Sequence, residues 1–279
     1  MKFTTKLVFS ALCIGTFFTS CKHENVVDPS VNDQVSPAVM QQIAAKGFST
    51  DNVRKVDRGY LVEGDIILTQ ENLTSQSTSP NLLIAHDEQY RTTNLVKSLP
   101  RTITVSVSGT LVGIQVWSDA ANNMISRYNA LNLNIHFVRA AAGTVGNVDL
   151  VGFDQGPSGG YITLGSSGFP DAAGNPFNQI KLNTNPQAYG TSPALIYVTN
   201  VLQHEMGHCI GFRHTDYFNR ALSCGGHKSN EQAGTIGAIL IPGTPSGFDS
   251  ESFMLACSNG GTSDRTFNPN DVIALRYLY

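Results

Sequence analysis

Apolar positions along the chain change their spacing several times, and each spacing predicts a different element. Leu7 to Phe18 is a continuous apolar run behind Lys2 and Lys6, too short to span a bilayer. Residues 25 to 35 are polar. Pro37 to Ala44 reads as a short helix stopped by Gly47, and Tyr60 to Leu68 reads as a strand. Residues 70–100 are rich in Ser, Thr and Asn and read as a linker. Arg101 to Val107 then alternates as a strand, and Ser118 to Leu131 has Ala121, Met124, Ile125 and Tyr128 on one helical face. Leu133 to Val138, Val148 to Phe153, Tyr161 to Leu164 and Gln179 to Leu182 are four further strands.

Two more helices close the pattern. Leu195, Ile196, Val198, Val201 and Leu202 recur at helical spacing within Pro193 to Ile210. Ser192 is the expected cap, with Pro193 in the first turn, where its missing N–H costs nothing. Asn268-Pro269-Asn270-Asp271 is a second helix start, followed by the stripe Val272, Leu275, Leu278 up to Tyr279. There is no internal repeat. Strands and helices in this order imply an α+β fold.

Composition bounds the answer without naming it. The 279 residues allow one medium domain and something smaller. Charged residues make up 14% and the net charge is −3, so no nucleic-acid partner is expected. The N-terminus reads as a leader: residues 1–20 form a signal peptide, and Phe18-Thr19-Ser20-Cys21 resembles a bacterial lipobox. Cleavage before Cys21 would leave a lipidated cysteine that tethers the chain without spanning the membrane. Simple secretion is the alternative. The expected organisation is a leader over 1–20, a tether over 21–35, a small segment with its linker over 36–100, and the main domain over 101–279. Localisation is then the cell envelope or cell surface, and the chain is expected to be a monomer.

Beyond Cys21 stand Cys209, Cys224 and Cys257. In an oxidising compartment two would pair, and Cys224 with Cys257 is favoured because both lie in the loop-rich region after the long helix. A bridge from Cys209 stays open.

One stretch states a chemistry. His204-Glu205-Met206-Gly207-His208-Cys209-Ile210-Gly211-Phe212-Arg213-His214 reads H-E-x-x-H-x-x-G-x-x-H. Residues four apart share a helix face, so His204 and His208 can offer two nitrogens to one metal. Gly211 sits where the chain must leave the helix, and that turn would return His214 as third ligand. Three protein ligands leave a position open for water, and neutral imidazoles suit zinc. Glu205 would lie beside that water as its base without coordinating the ion. Cys209 is a poor ligand candidate, about 100° around the helix from His208.

The extended motif resembles the metzincin metallopeptidases, and HEMGHCIGFRHTD is most similar to the bacterial HEIGH metallopeptidases. The resemblance covers roughly Arg101 to the C-terminus and is specific at three places. These are the zinc motif, Phe253-Met254-Leu255 as the methionine turn, and FNPNDVIALRYLY as the closing helix of matrixin-type domains. It implies a metzincin-like fold: a mixed twisted sheet with an antiparallel edge strand, a long zinc helix, a Met-turn at Met254 and a C-terminal helix. It also implies a zinc endopeptidase whose peptide substrate adds to an edge strand, placed at Tyr161 to Leu164. Asp216, just past His214, could fix that loop or orient a ligand from behind.

Departures from better-known relatives set further expectations. No tyrosine stands two residues after Met254, and no histidine lies between His136 and His204. Neither a tyrosine transition-state donor nor a second structural zinc is therefore expected. Asp154 and Asp171 flank a Gly-rich loop that could bind calcium, although ordinary turn residues are the simpler reading. His86, His136 and His227 are assigned no function. Many relatives hold latency with a cysteine or aspartate on the zinc. No cysteine lies between Cys21 and the main domain, so Asp65 or Glu63 would serve, should residues 36–100 be a propeptide. The usual solvation of carboxylates favours a small packing subdomain instead. Two other functions stay open: a zinc-stabilised binding module without catalysis, and a zinc hydrolase of a non-protein amide.

Overall fold

The computed structural model describes residues 35–75, 89–158, 160–226, 237–245, 248–258 and 264–279. The leader, Cys21, His86 and His227 lie outside them. Contacts divide the chain after Asp33, and everything described below belongs to the unit from Gln34 to Tyr279.

The N-terminal part holds α1 (Pro37–Ala45), β1 (Arg54–Val56), β2 (Gly59–Val62), β3 (Ile66–Leu68) and α2 (Gln70–Thr74). Ser36 caps α1, its hydroxyl accepting from the Val39 amide. The run Tyr60–Leu68, expected as one strand, is a hairpin. Glu63 (φ 56°) and Gly64 (φ 94°) both take left-handed backbone, which turns β2 back antiparallel on β3. Strands β1, β2 and β3 form a small sheet.

The linker expected over 70–100 is replaced at both described ends by structure. Thr69 and Asn72 make a capping box for α2, and β4 (Tyr90–Arg91) pairs with β10 (Ile239–Leu240). Gln89, Tyr90, Thr92 and Val96 are buried. A composition rich in small polar residues carried no sign of these long-range partners.

The main sheet contains β5 (Arg101–Val107), β6 (Ile135–Arg139), β7 (Val148–Phe153), β8 (Gly165–Ser166) and β9 (Gln179–Asn183), in the order β6-β5-β7-β9-β8. All pairs are parallel except β8 against β9. The antiparallel edge is thus at 165–166. Tyr161 to Leu164 forms no strand, and Tyr161 makes one isolated bridge to Ser158 and stands exposed. α3 (Gln115–Asn129) and α5 (Leu195–Ile210) pack against each other and the sheet. The short α4 (Pro186–Tyr189) precedes α5, and α6 (Ala221–Cys224) and α7 (Pro269–Leu278) follow it.

α5 starts two residues later than expected. Ala194 keeps an extended backbone with no side-chain cap, so Ser192 and Pro193 stay outside the helix. α7 starts at its expected Asn cap, closed by a capping box with Asp271. The core runs without a break from Ile103, Val105 and Leu150 in the sheet to Met124, Leu202, Met206, Met254 and Leu275. A second cluster of Ile43, Phe48, Val62, Ile66, Leu68 and Leu73 belongs to the N-terminal part and borrows Phe169 from the main domain.

Candidate metal centre and catalytic site

α5 carries His204, Glu205 and His208 inward because one face of its last turns is buried. Gly211 ends the helix with φ 112°, a backbone that a side chain would strain, and its amide closes on the Gly207 and His208 carbonyls. That exit returns His214 to the same space. His208 and His214 Nε2 lie 3.2 Å apart. Each helical imidazole is oriented from behind: His204 Nδ1 is 2.9 Å from the Phe253 carbonyl, and His208 Nδ1 is 2.9 Å from the Phe212 carbonyl. A carbonyl can only accept, so Nδ1 carries the proton and Nε2 keeps its lone pair for a metal. His204 Nε2 is buried without a hydrogen-bond partner.

A fourth group joins them. Asp65 Oδ2 lies 3.2 Å from His214 Nε2 and 3.6 Å from His204 Nε2. Ligand atoms of Asp65, His204, His208 and His214 all fall within 4.8 Å of one another. Zinc bonds to nitrogen and oxygen of about 2.0–2.2 Å in a tetrahedron put ligand atoms about 3.4 Å apart, so the donor set fits that ion. Burial, then the neighbouring imidazoles His204 and His214, hold the His208 pKa well below its usual value, which keeps it in the neutral form a metal needs. Burial alone would raise Asp65, but His214, His204 and His208 outweigh it and hold its carboxyl well below the usual range.

Glu205 is 2% exposed, with Ser167 as its partner. The Ser167 hydroxyl lies 2.7 Å from Glu205 Oε2 and 2.9 Å from the Glu205 carbonyl. Burial first, then the Asp65 charge, push the Glu205 carboxyl well above the usual range, against the Ser167 bond and His214. The edge strand lies directly over this carboxylate: a Cβ at Gly165 would stand 2.8 Å from Glu205 Oε1.

Met254 is fully buried beneath the helix, where a Cβ at Gly207 would meet its Sδ at 2.4 Å. Asp271 braces that turn. Its Oδ2 accepts from the Phe253 and Asn268 amides, and its Oδ1 accepts from Ser252 and from the Gln89 side chain. Burial raises its pKa to about 7. Cys224 and Cys257 are joined by a disulfide, and Cys209 is a buried thiol. Asp216 accepts from Ser223 and the Ala256 amide, beside that bridge. Asp154 accepts from Asn185, and Asp171 clasps Asn175, both in the manner of turn residues.

Ser167, Gln89 and the bracing role of Asp271 were not read from the sequence. Ser167 sits in Gly165-Ser166-Ser167-Gly168, a stretch that looks like any turn. Its partner is 38 positions away, and no local pattern marks the pair.

The described family whose model matches this chain is the dual-action HEIGH metallo-peptidase, over residues 60–279. The chain belongs to that family. It is a zinc metallopeptidase, built on an α+β domain. Two solved structures of myroilysin are similar at 14% and 16% identity, covering 64% of this chain and 79% and 83% of theirs, with a TM-score of 0.37 in both cases. No curated protein matches.

Proposed function

We propose that this HEIGH peptidase is an endopeptidase, exported and held at the cell envelope by a lipid on Cys21. The observation that carries it is the convergence of three imidazoles around one point, with the buried carboxylate of Glu205 on the adjoining helical position. Bound zinc would supply the Lewis acid that polarises a scissile carbonyl and lowers the pKa of the attacking water. His204, His208 and His214 would hold that ion, oriented by the Phe253 and Phe212 carbonyls. Glu205, held by its Ser167 hydrogen bond, takes the proton from water and passes it to the leaving amine.

An internal cut needs a cleft open at both ends and a backbone to pair with. The cleft of about 770 Å³ runs past Tyr161, Leu164, Tyr197, Val201, His204 and Glu205. Ser167, just past β8, exchanges backbone hydrogen bonds with Asp65 and Ile67 of this protein's own chain, which supports an edge able to take an extended peptide. The Cys224–Cys257 bridge agrees with an oxidising compartment. Among the described residues no helix is long and apolar enough to cross a membrane, so attachment rests on the sequence at Cys21.

The test uses a library of internally quenched peptides blocked at both termini. The purified chain is assayed before and after limited proteolysis, with and without a chelator, and with zinc restored. Zinc-dependent internal cleavage is expected; zinc binding with no cleavage under any condition would make the domain a binding module instead. Labelled-palmitate incorporation, lost in Cys21→Ser, tests the anchor.

A further inference from the structure

We infer that Arg265 selects the substrate: the cleft takes a carboxylate side chain, Asp or Glu, next to the bond that is cut. The inference deepens the endopeptidase reading above and rests on it. Tyr197, Asn200, Val201 and His204 recur at spacings of three and four along α5, so they share one helix face, and all four line the cleft. Asn200 stands one turn before His204, about 6 Å along the helix axis. A substrate residue beside the scissile bond that lies along this face passes Val201 and Tyr197, in the same cleft that Arg265 lines.

A second wall of that cleft is built from Leu255, Ala256 and Cys257. The Ala256 amide donates to Asp216 Oδ1 at 2.9 Å, the Cys257 amide donates to Ser223 Oγ at 3.0 Å, and Cys257 is bridged to Cys224. With the helix on one side and this pinned segment on another, the subsite has a fixed shape. Its charge then decides what it accepts.

Arg265 is fastened by its main chain alone. Its amide donates to Asn200 Oδ1 at 3.3 Å, and its carbonyl accepts from Gln203 Nε2 at 3.2 Å. Both partners belong to the zinc helix, so the residue is positioned by the element that carries His204. Among the described residues, its half-buried guanidinium makes no hydrogen bond or ion pair. The neighbouring carboxylate is already taken: Arg127 holds Asp264 at 2.6 Å, while its other terminal nitrogen donates to Asn200 and Gln203 at 3.0 Å and 2.8 Å. The other two arginines of the cleft are engaged as well, Arg54 with Thr163 Oγ1 at 3.2 Å and Arg220 with the Glu63 carbonyl at 2.6 Å. Arginine keeps its charge at any working pH. A half-buried cation without a partner is costly, and a carboxylate entering the cleft offers it a two-pronged, charge-assisted pair.

The test uses the zinc-loaded chain and matched peptides, blocked at both ends, with Asp, Asn, Leu or Lys on either side of the cut. At one of the two flanking positions, kcat/KM for Asp is expected to exceed that for Asn roughly ten- to hundredfold, and the ratio should shrink as salt rises. Arg265→Ala should bring the Asp and Asn rates together, and Arg265→Glu should turn the preference to Lys. Arg265→Lys keeps the charge without the fork and should retain part of the ratio. Zinc content and Tm, measured for each variant, identify any that fails to fold. Equal cutting of Asp and Asn peptides by the wild type would overturn the inference, as would a preference that survives Arg265→Ala. A preference seen only with a free C-terminal carboxylate would assign Arg265 to a chain end and overturn it too. Failure of the endopeptidase reading looks different: no peptide is then cut under any condition. Fluorescence anisotropy of the same labelled peptides still decides in that case. Tighter binding of the Asp peptide, lost in Arg265→Ala, supports the inference, and equal binding overturns it.

Discussion

The N-terminal part over residues 35–75 and the peptidase body from Gln89 onward both bury apolar side chains, but they depend on each other unequally. The body has one continuous core that joins sheet, zinc helix, methionine turn and C-terminal helix. The N-terminal cluster is completed by Phe169 from the body. Leu61 and Ile67, cross-strand partners in its hairpin, point the other way and join the body's core. Phe48 covers Arg213 at 4.4 Å. The body's core is the larger of the two, and residues cross the seam in both directions: Phe169 one way, Leu61 and Ile67 the other.

The largest effect should come from chemistry confined to the body. Glu205→Ala removes the base and is expected to lower peptide cleavage by the enzyme roughly 10²–10⁴-fold. Zinc stoichiometry should stay unchanged. A variant that cleaves at the wild-type rate sinks the assigned role.

Next comes the seam between the two regions. Ile67→Ala empties a site in the shared core and should cost about 2–5 kcal/mol, with faster proteolysis of the N-terminal part. Leu73→Ala empties the local cluster, and its effect on hydrogen exchange should stop short of β5, β7 and β9. Equal spread of both effects would mean that the two regions form one cooperative unit.

Gly207→Ala probes the body from within. Its Cβ would meet Met254 Sδ at 2.4 Å and Phe253 Cε2 at 2.8 Å, so the helix and turn must separate. A loss of about 1–3 kcal/mol is expected, with weaker zinc retention in a chelator titration. Ser167→Ala should lower kcat about tenfold with little change in KM, the scale of one hydrogen bond to a charged group. A change in KM alone would assign Ser167 to substrate binding.

The last comparison is in pH. The Asp271 carboxyl is raised to about 7 in the fold, against about 3.9 in an unfolded chain. A raised acid means that the folded state binds the proton more tightly. Its contribution to stability is then fully present below about pH 4 and is lost as pH rises through about 7. Urea midpoints at pH 4, 5.5 and 8 should fall with pH more in the wild type than in Asp271→Asn. A parallel pair of profiles would remove Asp271 as the source.

The sequence was most legible where the chemistry is local. Spacing in α5 placed His204 and His208 on one face, Gly211 announced the exit, and Asn268 announced the last helix; each signal spans fewer than a dozen residues. The strands Arg101–Val107 and Val148–Phe153 were read to the residue because alternation and β-branched composition agree there. Reading failed where the partner is distant. Tyr60–Leu68 looks like one strand because apolar runs hide a turn whose two left-handed residues are held by tertiary packing. Tyr161–Leu164 has strand composition but no ladder partner, and the edge went instead to Gly165–Ser166, which pairs with Lys181 and Leu182. Residues 89–96 looked like linker because nothing nearby tells that Gln89 meets Asp271.

By itself, then, the sequence determined the metal and the class of reaction, since ligand type and helical period are properties of a few consecutive residues. Only the tertiary structure decided what stands in front of that metal. Asp65 and His214 are 149 positions apart, and whether a carboxylate faces water or a zinc site depends on a turn, an edge strand and a shared core that no short segment encodes.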